Sequence, residues 1–460
     1  MLSQLSPAIR QYLVVTGNYW AFTLTDGALR MLVVLHFHGL GYSPLEIALL
    51  FLFYEIFGVI TNLVGGWLGA HLGLNRTMNF GLALQVVALA MLLVPAAMLT
   101  VPWVMAAQAM SGIAKDLNKM SAKSSTKLLV PADALGLLYK WVAILTGSKN
   151  ALKGAGFFLG GVLLMWLGFT GAVGTMAAVL ALVWLASMVF LKKDLGKASS
   201  KPRFRDIFSK SRAINILSAA RMLLFGARDV WFVVALPVFL SQTLGWSHMQ
   251  TGGFLALWVI GYGAVQAIAP RITGRNRESV PDGRSATLWA AGLAVLPVLI
   301  ALGLGVTEMH PALILIGGLL LFGVLFAVNS SLHSYLIVSY AGSDGVSLDV
   351  GFYYMANATG RLLGSVHIQR LLREAPHQPV GSVLDDLDPV TPQASLGEVP
   401  RALATYNLVA LPVVDAEGRL VGSVTVDDVL DHLVRRIGDV KKALGTVFAV
   451  ENVSSYLGWK

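Results

Sequence analysis

The sequence predicts an all-α integral membrane protein: two repeats of about six helices, the twelfth helix missing, followed by a small α/β tail. Three observations predict it. Of the 460 residues, 56% are hydrophobic and only 13% charged, with a mean hydropathy of +0.69, whereas a soluble globular chain carries about 25% charged residues. Eleven apolar runs are each about long enough to cross a bilayer, near 12–36, 45–70, 77–98, 101–117, 145–167, 171–191, 214–240, 251–269, 286–304, 312–338 and 346–366. Finally, lysine and arginine collect in alternate loops.

Basic residues follow the second run (Arg76) and the fourth (Lys119, Lys123, Lys127), and they crowd the stretch from Lys192 to Arg212. More lie after the eighth run (Arg271, Arg275, Arg277, Arg284), while the intervening loops carry none. Positive charge near membrane-crossing segments marks the cytoplasmic face, so the N-terminus is expected in the cytoplasm of a cell inner-membrane protein. The formal charge of +9 therefore reads as a membrane face and not as a nucleic-acid surface. Cysteine is absent, which excludes disulfides and thiolate metal sites. His36 and His38 lack a third ligand nearby in sequence, so no metal site is expected.

The basic stretch divides the chain into an N-terminal bundle of six helices (1–191), a linker (192–212) and a bundle of about five spans (213–366). A soluble module (367–440) and a tail (441–460) follow. The two bundles resemble each other: Leu40-Gly41-Tyr42-Ser43 precedes the second run as Leu244-Gly245-Trp246-Ser247 precedes the eighth. Such parallel repeats place a binding site at their interface near the bilayer midplane.

Ionisable residues inside the runs point to that site, because each costs at least about 2.5 kcal/mol at a helix centre and commonly marks a pathway or relay. Asp26 and Arg30 stand four apart on the first helix, where they can pair; Glu55 lies on the second. Lys115, Asp116, Lys119, Lys123 and Lys127 form a slowly winding stripe, and the fourth run must extend into it to cross the membrane. Of these, Lys123 and Lys127 are expected at the solvated cytoplasmic end. Lys149 and Lys153 open the fifth run; Arg221, Arg228 and Asp229 lie in the seventh, Asp349 and Arg361 in the eleventh. Cations exceed acids, so the expected ligand is a small organic polyanion, held by Arg30, Lys115, Lys119, Arg228 and Arg361. Asp26, Glu55, Asp116 and Asp229 are the candidates for carrying a coupled proton.

The stretch GGWLGAHLGLNR, with Gly65, Gly66, Gly69, Gly73 and Arg76, resembles the conformational loop between helices two and three of the major facilitator superfamily. The acidic member of that pattern is replaced by Ala70. The segments GNYWAFTLTDGALRMLVVLHFHGLGYSPLEIALLFLFYEIFGVITNLVGGWLGAHLGLNRTMN, SGIAKDLNKMSAKSSTKLLVP, LYKWVAILTGSKNALKGAGFFLGG and VGFYYMANATGRLLG are similar to the organoarsenical efflux permeases of that superfamily, the ArsJ type. This resemblance, over about residues 10–366, implies extrusion of 1-arseno-3-phosphoglycerate. It also implies functional pairing with the glyceraldehyde-3-phosphate dehydrogenase that makes this ester from arsenate. It implies no catalysis and no cofactor. Other organic-anion or sugar-phosphate antiporters on the same scaffold are the near alternative.

After Val366 the composition becomes that of a soluble module. Residues 411–414 and 420–426 read as strands around a turn at 415–418, with a helix from Asp427. This resembles a single CBS motif, in which Thr425 and Asp428 would meet a nucleotide; a nucleotide-sensing, non-transporting protein is the alternative of a different class. Eleven crossings from a cytoplasmic start would leave this module outside, and a composite origin near 364–366 is the expected reason.

Overall fold

The computed structural model describes residues 6–42, 47, 50–191, 195–199, 202–208, 211–232, 236–242, 244–274, 280–306, 311–373, 410–414 and 420–425. The helices are α1 (Pro7–Gly39), α2 (Leu52–Leu72), α3 (Leu74–Met91), α4 (Val101–Leu129) and α5 (Leu135–Phe190). After the linker come α6 (Arg212–Val230), α7 (Leu236–Gln242), α8 (His248–Thr273), α9 (Gly283–Val306), α10 (Pro311–Tyr340) and α11 (Val346–Arg373). A separate unit (Leu372–Lys460) contains β1 (Ala410–Val414) and β2 (Leu420–Thr425), an antiparallel pair that matches Ala410 with Thr425.

Among the described residues, four helices are long and apolar enough by composition alone to cross a membrane: α5, α8, α9 and α10. Those that fall short include α1, α4 and α11, whose apolar runs are interrupted by charged residues that turn inward. As the sequence requires, α4 continues through the lysine stripe as one helix to Leu129.

Two boundaries differ from expectation. The expected loop at 168–171 is a corner inside α5, where Gly168 alone leaves helical geometry with φ of 65°. The first arm of α5 starts at Leu135, so Lys149 and Lys153 lie well inside it and do not open it.

The repeat is visible in the backbone, since Gly41 and Gly245 hold the same left-handed conformation, with φ of 88° and 68°. Small residues let helices within and between the bundles approach closely. Gly156 and Gly160 of α5 lie against the backbone of Gly27 and Ala28 in α1, and Gly147 against Gly263 and Ala267 in α8.

At the end that carries the basic loops, one apolar cluster joins the two bundles. It packs Leu74, Met120, Tyr139 and Val142 against Ile214, Ala269, Tyr335, Val346 and Tyr353. Polar contacts reinforce it: Tyr139 and Thr273 share a hydrogen bond of 2.9 Å, and Ser347 Oγ donates to the Gly66 carbonyl at 2.7 Å. The linker crosses this end. The Leu74 amide donates to the Leu195 carbonyl, the Trp67 indole to that of Pro202, and the Ser199 amide and hydroxyl both donate to Asp344. At the other end each bundle has its own core, Leu32, Phe37, Val104 and Phe169 in the first, Leu236, Leu240 and Leu319 in the second. Among the described residues no cluster joins them there.

Candidate functional site

A cavity of about 290 Å³ lies between the bundles, lined from α1, α2, α4 and α5 on one side and α6, α8, α10 and α11 on the other. Its wall carries nine cationic side chains and three acidic ones. The aromatic side chains divide unevenly: Phe225, Phe232, Trp258, Tyr262 and Tyr354 come from the second bundle, and Tyr19, Phe22 and Phe157 from the first.

Sequence spacing suggested an Asp26–Arg30 pair on α1. The structure replaces it, because α2 offers both residues better partners. Tyr54 donates its hydroxyl to Asp26 Oδ1 at 2.7 Å, and Arg30 meets Glu55 at 2.9 Å. The Tyr54 ring also lies 4.0 Å from the Arg30 guanidinium and 3.8 Å from Lys115 Nζ. Two cations share one ring face-on, an attraction that strengthens where water is sparse.

Arg228 and Arg361 share one acid, Asp229. Arg228 Nε donates to Asp229 Oδ1 at 2.6 Å and Arg361 Nε to Oδ2 at 3.0 Å, while Arg361 Nη2 also lies 3.8 Å from Glu55. The result is an alternating ladder, Arg30–Glu55–Arg361–Asp229–Arg228, that runs from α1 and α2 across to α11 and α6. Asp229 stands behind the cavity wall, 1% exposed.

On α4, Asp116 accepts from Lys119 at 2.6 Å and has Lys115 at 3.8 Å. Lys123 is not at a solvated end. It is 3% exposed, lines the cavity and donates to Ser334 Oγ at 3.3 Å. Lys127 is not left to water either; it donates to the carbonyls of Ser339 (2.9 Å) and Ala341 at the end of α10. A cation there satisfies carbonyls that the helix cannot.

Thus Asp26, Arg30, Glu55, Lys115, Asp116, Lys119, Arg228 and Arg361 come together on one cavity. Gly65, Gly66, Gly69, Gly73 and Arg76 lie away from it, at the end with the basic loops. A Cβ on Gly66 would stand 2.5 Å from the Ser347 carbonyl and 3.2 Å from Gly351 Cα, so this glycine permits α2 to touch α11. That contact, with the Ser347 hydroxyl, joins the bundles where the acidic residue of the loop pattern is missing. Thr425 lies in β2, and Asp428 lies outside the described residues, as do the expected turn at 415–418 and the helix from Asp427.

A profile of the Major Facilitator Superfamily matches residues 12–365. The chain belongs to the major facilitator superfamily. It is therefore a multi-pass membrane protein of a transporter family, and its cavity lies where that architecture binds its solutes. Solved structures of the fold agree. The human organic anion transporter MFSD10 (TETRAN) superposes with a TM-score of 0.61 at 18% identity, covering 79% of this chain and 93% of that one. The proton:xylose symporter XylE superposes with 0.57 at 15% identity, covering 80% and 89%. At these identities the likeness is one of fold.

A CBS-domain profile matches residues 380–435. Curated relatives match in short stretches. The magnesium transporter MgtE of Thermus thermophilus is 37% identical over 108 residues, 23% of this chain and 24% of that protein. The inosine-5'-monophosphate dehydrogenase of Methanocaldococcus jannaschii is 34% identical over 96 residues, 19% of each. The chain thus spans about a quarter or less of these two relatives.

Sequence reasoning missed Tyr54, which carries no charge to draw attention, expected Lys123 in solvent, and gave Lys149, Lys153 and Arg221 no specific role, whereas all four cations line the cavity. The four-residue spacing of Lys149 and Lys153 was the available signal.

Proposed function

We propose that this superfamily member exports a small organic polyanion, 1-arseno-3-phosphoglycerate, across the cell inner membrane and so confers arsenate resistance. The observation that carries this reading is the excess of nine cations over three acids on the wall of one interfacial cavity. Arginine forks and lysine ammonium groups suit phosphate and arsenate oxygens, and the sequence resemblance to organoarsenical permeases points to the same chemistry. The organic anion transporter among the fold neighbours is consistent with an anionic cargo. In this reading the basic end faces the cytoplasm, the N-terminus included, and a glyceraldehyde-3-phosphate dehydrogenase supplies the solute.

Export is coupled to protons through the ladder. Glu55 is its exposed acid, with 36% of the side chain accessible from the cavity, and it holds Arg30 of its own bundle and Arg361 of the other. Protonating Glu55 removes the charge that ties α2 to α11, which lets the bundles move relative to each other. Asp26, Asp116 and Asp229 are each held by hydrogen bonds or ion pairs within their own bundle.

The test is expression with the dehydrogenase in an arsenate-sensitive cell. Arsenate resistance is expected to rise only when both proteins are present, and Glu55→Gln is expected to abolish the gain. No gain from the pair would overturn the reading.

A further inference from the structure

The nine cations of the cavity fall into two classes. Arg30, Lys115, Lys119, Arg228 and Arg361 each meet a carboxylate within 4 Å. Lys123, Lys149, Lys153 and Arg221 meet none among the described residues. Lys123 donates to the Ser334 hydroxyl and lies 5.2 Å from the Tyr354 ring centre, and Lys149 donates to the side-chain amide oxygen of Asn150 at 3.2 Å. Arg221 gives Nη1 to Ser330 Oγ at 2.9 Å, while its Nε is buried without a partner.

A charge removed from bulk water without a counter-charge is costly. Here the cost is compounded, because Lys149 and Lys153 stand four apart on one face of α5, a like-charge arrangement that weakens a helix. Lys123 and Arg221, although from opposite bundles, bond hydroxyls one turn apart on α10, Ser334 and Ser330. An anion entering beside a cation that already has its carboxylate meets a neutral pair. An anion entering between these four cations offsets charges that no carboxylate contacts, with Asp26 acting at longer range on Lys149 and Lys153 and the Phe225 ring lying 3.8 Å from the Arg221 guanidinium. Nearby, Asn357 Nδ2 is a further buried donor without a partner on the cavity wall.

We propose that the solute is held by these acid-free cations as two anion subsites, one formed by Lys149 and Lys153 and one by Lys123 with Arg221. The acid-paired cations form the moving ion-pair ladder and the α4 pairs instead. The ligand class is a small organic molecule with two anionic groups, and the subsite built from Lys123 and Arg221 draws the two bundles together around one of them. This rests on the polyanion reading above and adds which side chains do the holding and how many anionic groups they require.

The experiment measures binding calorimetrically to the purified full-length protein. The probes are 3-phosphoglycerate, which carries two anionic groups, and glycerol 3-phosphate, which carries one. The intact protein is expected to bind 3-phosphoglycerate about tenfold more tightly or better. The double variant Lys149→Gln/Lys153→Gln and the single variants Lys123→Gln and Arg221→Gln are each expected to weaken 3-phosphoglycerate about tenfold or more. They should also collapse its advantage over glycerol 3-phosphate, a ratio that a merely structural defect would not move. Lys149→Arg/Lys153→Arg is expected to keep the ratio, and Arg30→Gln and Lys119→Gln to weaken binding by less. The proposal is overturned if the acid-free variants keep both affinity and ratio, or if Arg30→Gln and Lys119→Gln lose more than they do. If the intact protein binds neither probe, the polyanion reading itself falls.

Discussion

The two ends of the membrane bundle are built differently. Where the basic loops emerge, the bundles share one apolar cluster, a close approach of α2 to α11 and a linker bonded to both bundles. At the other end, each bundle closes on its own core among the described residues. Among the described residues the cavity is therefore sealed toward the basic end, and the charged ladder lies beyond that seal. A transporter that exposes its site to one face at a time needs such an asymmetry, and it must be reversible. The contacts at the basic end are accordingly small and replaceable: a hydroxyl on a carbonyl, a glycine on a glycine, an indole on a loop.

The strongest way to break that end is Gly66→Leu. Its side chain would meet backbone at 2.5 Å and 3.2 Å, and overpacking of that kind costs about 1–3 kcal/mol or more. Transport is expected to fall more than tenfold. Because the chain has no cysteine, the effect on the seal can be read directly: Ser334→Cys, buried in the intact protein, should become reactive to a water-soluble maleimide when Gly66→Leu is added.

Asp229→Asn tests the ladder above the seal. It leaves Arg228 and Arg361 without their shared acid, and thermal unfolding should register a loss of about 2 kcal/mol. That lies below the about 3–5 kcal/mol of a fully enclosed pair, because 35% of the Arg361 side chain is open to the cavity. A smaller loss, about 1–2 kcal/mol, is expected for Lys127→Ala, which removes a cation from the last carbonyls of α10; Lys127→Arg should recover part of it.

The smallest effect is expected from the linker. Ser199 holds the Asp344 carboxyl below the ordinary aspartate range by donating hydroxyl and amide to it. A depressed value in the folded state means that this contact stabilises above the unfolded aspartate value of about 3.9 and fades as pH falls through the folded one. Between pH 5 and 8 the melting temperature of Asp344→Asn should therefore lie below that of the intact protein by a small, constant margin. A margin that changes across that window would contradict the assignment.

Much of the fold is legible in the sequence because bilayer thickness sets the length of each run and the loop charges alternate. The continuation of α4 through the lysines also follows from length. The ion pairs between helices do not, since a partner on another helix leaves no local trace. Arg361 and Asp229 are distant in sequence, and the local spacing of Asp26 and Arg30 suggested a pair that Tyr54 and Glu55 of α2 outcompete. Lys123 was misplaced for a related reason: loop-charge counting treats every lysine near a span end as solvated, whereas α10 brings Ser334 to it. Lys149 looked like the start of a helix because Lys140 interrupts the apolar turns from Leu135 onward.

The most direct measurement uses everted membrane vesicles, whose outer surface is the cytoplasmic face. The dehydrogenase, glyceraldehyde 3-phosphate, its nicotinamide cofactor and arsenate are supplied outside, and arsenic inside the vesicles is quantified. Arsenic is expected to accumulate only with the complete mixture and to fall when the proton gradient is collapsed. Accumulation no greater than in vesicles lacking the protein would contradict the account.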